Sequence, residues 1–177
     1  MITRRSLLLT TATGLLAAAA SRAAFAQTGV ADDPRSILNA VYTRVTRGKG
    51  DDGGGFVTLT KSARARYLSR SFAALWLKAE SRVQKGDGDP VGFDPVTNSQ
   101  DPDVKSFAMA TENFNNQRAT IAVTLTGRTS SRANPADNVI RYDFLRDPTQ
   151  WKIDEIRGAV DGKPWSVREL LTDSLKY

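Results

Sequence analysis

Residues 117–126 read QRATIAVTLT, and this stretch decides the fold. Ala119, Ile121, Val123 and Leu125 alternate with Thr120, Thr124 and Thr126, the two-residue period of a half-buried strand rich in β-branched residues. Working outward, Val104–Phe114 alternates more loosely, and Asn115-Asn116 between the two runs fits a two-residue hairpin turn, because Asn tolerates positive φ. Downstream, Ile140, Tyr142 and Phe144 oppose Val139, Arg141 and Asp143 over 138–146. Asp147-Pro148-Thr149 then turns the chain into a fourth run, 151–157. Ser166 and Glu169 form a capping-box pair ahead of Leu170 and Leu171, a short C-terminal helix.

Upstream the period changes. Asp33-Pro34 reads as an N-cap with Pro in the first turn, and Ile37, Leu38, Val41, Tyr42 and Val45 make one apolar stripe of a helix over 34–47. Thr60 caps a second helix over 61–84, with a possible break where Ser69 offers its own cap. Helices first and hairpin-connected strands later predict an α+β domain with an antiparallel sheet of about four strands. Two Gly/Asp-rich stretches interrupt it: 48–55, a connector, and the long loop 85–103, KGDGDPVGFDPVTNSQDPD.

The chain has 177 residues, 25 Lys and Arg against 19 Asp and Glu, and neither His nor Cys. Without them there is no Ser-His-Asp or Cys-His machinery and no zinc site of the usual kinds. No disulfide or cofactor is expected either. At the N-terminus an uncharged run over 6–21 follows Arg4 and Arg5, too short for the roughly 20 residues of a spanning helix. Ala24-Phe25-Ala26 offers a small-x-small cleavage pattern. Residues 1–26 thus read as a cleaved export signal and 27–177 as one domain, periplasmic or secreted after processing. Loss of Arg4, Arg5 and Arg22 lowers the net charge from +6 to +3, which speaks against nucleic acid as a partner. Thr3-Arg4-Arg5 before a weakly apolar run resembles a twin-arginine signal, with Leu7 where Phe is usual and Leu9 where Lys is usual.

DPRSILNAVYTR (33–44), SFAALWLKAE (71–80), FDPVTNSQD (93–101), WKIDEIRG (151–158) and SVRELL (166–171) are similar to a family of small exported bacterial proteins of unknown function. The whole pattern resembles the nuclear transport factor 2-like fold. That resemblance implies a cone, a curved sheet wrapping the N-terminal helices around one pocket, and it implies no particular activity.

Candidate site residues follow from these readings. Tyr42 and Trp76, with Phe72, Phe107, Tyr142 and Trp151, are large aromatics on expected inner faces that either line a pocket or fill a core. Asp94, Asn98, Gln100 and Asp101 cluster in the long loop. As a ligand-binding set they would hold a polar group, and Asp94 or Asp101 could serve as a base. As structural residues, Asp94 before Pro95 and Asp101 before Pro102 predict turns whose carboxylates accept backbone N–H bonds and stay ionised. Asp87, Asp89, Asp94 and Asn98 lack the spacing of a calcium loop, so no metal is expected. Arg64, Arg66, Arg70, Lys78, Arg82 and Lys85 predict a solvated basic face. The leading expectation is a non-catalytic small-ligand-binding or interaction domain with an envelope-protein or small-molecule partner, with a homodimer through the sheet as a further option. The alternatives are a cofactor-independent isomerase or lyase using a loop Asp, and an inhibitor of an envelope enzyme.

Overall fold

A computed structural model describes residues 33–48, 57–83, 89–129 and 132–176. The expected signal segment, with Arg4, Arg5, Ala24 and Ala26, lies outside the described residues, as do Lys85 and Asp87. The chain is α+β. Helix α1 spans Pro34–Arg47, α2 Lys61–Tyr67 and α3 Arg70–Glu80. Strands β1 (Val104–Phe114), β2 (Arg118–Gly127), β3 (Val139–Arg146), β4 (Trp151–Val160) and β5 (Lys163–Ser166) follow, then α4 (Val167–Asp173). The strands form one open antiparallel sheet in the order β1-β2-β3-β4-β5. Register shifts in the β1–β2 and β3–β4 pairings, with the extra residues on β1 and β4, bend it, since an extra residue on one strand increases local twist.

The expected count of about four strands is corrected to five. Strand β5 holds four residues and includes Pro164, too short and too broken to show alternation. The first hairpin also turns one residue later than expected. Asn115 still pairs with Arg118 through its own N–H, at 2.8 Å, so the loop residues are Asn116 and Gln117. The Asn115 side chain accepts both Gln117 N and Arg118 N.

The second helix is broken as Ser69 suggested, and it ends at Glu80 rather than 84. The break has a physical cause. Strand β5 pairs only with residues 157–160 of β4, leaving the edge of the first half of β4 open. Leu68 forms a parallel bridge to Ile153 there, with Ser69 N donating to Ile153 O at 2.8 Å. The Ser69 hydroxyl also accepts Phe72 N, capping α3, and bonds Asp154 at 2.5 Å. Asp147 accepts the Arg70 N–H at 2.7 Å and pairs with its side chain.

One member of the expected basic face is not solvated. Arg64 is buried (4% exposed), donating to Thr58 O and Glu80, each at 2.6 Å, with its guanidinium over the Trp76 ring. A cation is tolerated there because its charge is paired and its stem is covered by apolar surface. Arg70 pairs with Asp147 while staying exposed, and Arg66, Lys78 and Arg82 are exposed as expected.

One core fills the concave side of the sheet. Leu38, Val41 and Tyr42 from α1 and Phe72 and Trp76 from α3 meet Ile121, Val123, Ile140, Tyr142, Phe144, Ile153 and Ile156, all essentially sealed from water. Burial of each such side chain contributes roughly 1.5–3 kcal/mol. Among the described residues no helix is long and apolar enough to cross a membrane.

Candidate functional site

The long loop closes on itself before it meets the sheet. Asp94 Oδ1 accepts Val96 N at 2.9 Å and Oδ2 accepts the Thr97 hydroxyl at 2.7 Å, an Asx turn. The backbones of Asp94 and Ser99 exchange hydrogen bonds at 3.1 and 3.4 Å. Asp89 makes a similar turn with Val91 N at 2.8 Å. The second expected turn is not built on Asp101, which stands exposed. Its neighbour Asp103 ties the loop end instead, accepting Arg128 N, Thr129 N and the Thr129 hydroxyl.

Asn98 then locks the closed loop to the far end of the sheet. It sits at φ 52°, a left-handed position that Asn tolerates better than most residues. Its amide is buried and used on both sides. Nδ2 donates to Asp137 O (3.0 Å) and Ala159 O (2.7 Å), and Oδ1 accepts the Trp165 indole N–H at 3.0 Å. The Trp165 ring lies directly against Gly158, one strand across, and meets Phe93 edge-on at 5.1 Å. Arg132 adds a second clasp, donating to Thr97 O (2.8 Å) and to Asp137 O. The Asp137 carboxylate, also buried, accepts Asp161 N and Gly162 N, each at 2.9 Å, and so caps the β4–β5 turn. Gly162 has φ 73°, and a Cβ there would strike Asn134, so the turn requires Gly on two counts.

Between these clasps lies a recess of about 330 Å³. Val104, Leu125 and Val160 give it apolar walls, while Asn98, Asp101, Asn138 and Asp161 supply polar edges. Val160 is half exposed. Of the sequence candidates, the recess brings together Asn98 and Asp101 only. Gln100 is exposed and reaches Gly92 O at 3.4 Å. The sequence reading missed Arg132, Asp137, Asn138, Asp161 and Trp165. The Asp161-Gly162 turn signal was the one local hint of this corner.

Tyr42 and Trp76 resolve as core, not pocket lining. The Tyr42 hydroxyl donates to Val96 O at 2.8 Å and lies 2.8 Å from the Tyr142 hydroxyl. With the Tyr42 proton committed to Val96, Tyr142 is the donor between them. Burial pushes both phenols above their ordinary range, so both stay protonated. Trp76 is fully buried, and its Nε1 finds no hydrogen-bond partner.

The proton affinity of Asp94 shifts in the direction opposite to the one a turn carboxylate alone would give. Burial raises its affinity for a proton, outweighing the bonds from Thr97 and Val96 that favour the anion. Asp89 and Glu155 are raised by burial in the same way. An elevated carboxylate suits a general base only if an oxygen can reach substrate. Both oxygens of Asp94 are occupied by its own loop, and Asp94 does not line the recess. Because the folded state holds the Asp94 proton more tightly, its contribution to stability is present below the ordinary carboxylate pKa. It is lost as pH rises through the folded value. Asp94→Asn should therefore flatten the decline of stability with rising pH, while costing about 1 kcal/mol or less at neutral pH, because Asn keeps the bond from Val96 N. Asp94→Ala should cost about 1–3 kcal/mol. Urea unfolding across mildly acidic to neutral pH checks both, and an unchanged pH slope in Asp94→Asn would contradict the assignment.

Among the described residues no group of three or more His, Cys, Asp or Glu side chains is placed to hold a metal ion. No protein-family model matches the sequence, and neither a curated protein nor a solved structure matches it.

Proposed function

We propose that this chain is an exported, non-catalytic binding domain of the nuclear transport factor 2-like kind, working in the periplasm on a small polar ligand. One observation carries the reading: Asp94, Asn98 and Asp137 are committed to holding the loop and its corner, while the recess beside them stays open to solvent. The interior of the fold is filled by Tyr42, Phe72, Trp76 and Tyr142. A ligand therefore enters at the end of the sheet, where Val104, Leu125 and Val160 cover its apolar part and Asp101, Asn138 and Asp161 accept or donate at its polar edge. Export is supported by the Arg4-Arg5 pair and Ala24-Phe25-Ala26.

Native mass spectrometry of the protein isolated from the cell envelope tests the proposal. The expected species begins at Gln27 and retains a small molecule. Val160→Arg fills the recess from a half-exposed position and should abolish retention while leaving the thermal transition in place. An intact Met1 would end the export reading. Retention equal in Val160→Arg and wild type would remove the ligand from the recess.

A further inference from the structure

We propose that β1 is the contact by which two copies of this chain join, edge to edge and antiparallel, into one continuous ten-stranded sheet. The sheet has two outer strands, and they are treated differently. Strand β5 is four residues long, carries Pro164 and runs straight into α4, all features that blunt an edge. Strand β1 is eleven residues long, contains no Pro, and among the described residues pairs with β2 alone. Most of it is exposed. A strand of that length with unpaired N–H and C=O groups is a template for another strand.

The charge pattern selects the occupant and the direction. Residues 106–111, SFAMAT, carry no charge, and Lys105 and Glu112 flank them with opposite signs, Glu112 also holding Arg141 of its own sheet at 3.0 Å. The register shifts of β1 fall at the same two places, between Val104 and Ser106 and between Thr111 and Asn113. The uncharged segment is thus also the regularly paired one. A second β1 laid antiparallel about a two-fold axis near its middle brings Lys105 of each copy toward Glu112 of the other, at both ends. Parallel pairing would instead oppose Lys to Lys and Glu to Glu.

Sedimentation of residues 27–177 with charge-reversed variants tests the pairing. The wild type should be dimeric. Lys105→Glu and Glu112→Lys should each weaken the dimer about tenfold or more, by turning two favourable cross-strand contacts into repulsions. An equimolar mixture of the two variants should form heterodimers as tightly as wild type, because each copy then meets its complement. Hydrogen exchange supplies a second reading that needs no variant: amides within 106–111 should gain protection as protein concentration rises. A wild type that stays monomeric overturns the proposal. So does a dimer indifferent to both reversals, which would place the contact on the face of the sheet, and so does an edge protected only by a different protein.

Discussion

Replacing Asn98 by Ala should cost about 3–5 kcal/mol of folding stability, the largest loss expected from any single substitution in the loop. Three hydrogen bonds, two of them buried and one half-buried, disappear together. The Asp137 carbonyl keeps Arg132 as donor, but Ala159 O and the Trp165 indole N–H lose the bonds from Asn98. An unpaired buried polar group costs about 1–3 kcal/mol. The backbone adds its own penalty, because Ala at φ 52° is strained by roughly 1 kcal/mol where Asn is tolerated. Asn98→Gly separates the two effects, removing the bonds while relaxing the backbone, and should be the milder variant. Urea unfolding monitored by circular dichroism measures both. A loss below about 1 kcal/mol for Asn98→Ala would mean that the loop is held by something other than this amide.

Gly158→Ala is expected to cost about 2–3 kcal/mol, the range for overpacking a filled site. A Cβ at 158 would stand 2.4 Å from Cζ2 and 2.8 Å from Cε2 of Trp165. The indole cannot yield without surrendering its bond to Asn98 and its contact with Phe93, so one methyl group disturbs two attachments. A double-mutant cycle identifies the cause. In a Trp165→Leu background the smaller side chain leaves room, and adding Gly158→Ala should then cost a few tenths of a kcal/mol. Equal costs in the two backgrounds would show that the methyl collides with something else.

These residues also mark where sequence reading stops. Helix α1 was legible to the residue, because Asp33, Pro34 and the stripe through Val45 act within the helix itself: Asp33 accepts Arg35 N at 2.8 Å. The long strands were legible for the same reason, their alternation being a local record of which side meets the core. The Asx turn of Asp94 was readable too, since it reaches only two or three residues. Its raised proton affinity was not, because that depends on what covers the loop. Arg64 looked like a surface cation until Glu80, sixteen residues on, was found at its tip. Asn98 reads as either a ligand-binding or a loop-holding amide because its partners lie 39, 61 and 67 residues away, and no local pattern announces them. A helical aromatic such as Trp76 reads alike whether it lines a pocket or fills a core.

The distance from Asn98 to its partners has a consequence for how the chain is made. Synthesis runs from the N-terminus, so the loop is complete well before Asp137, Ala159 and Trp165 exist to hold it. During that interval an apolar-bearing segment waits beside newly made strands with nothing to close against. Pro90, Pro95 and Pro102 are spaced through it. Each removes a backbone donor and holds the residue before it extended, so the waiting segment cannot join a neighbouring strand as a continuous ladder. The same three prolines that shape the finished loop also keep the unfinished one from aggregating.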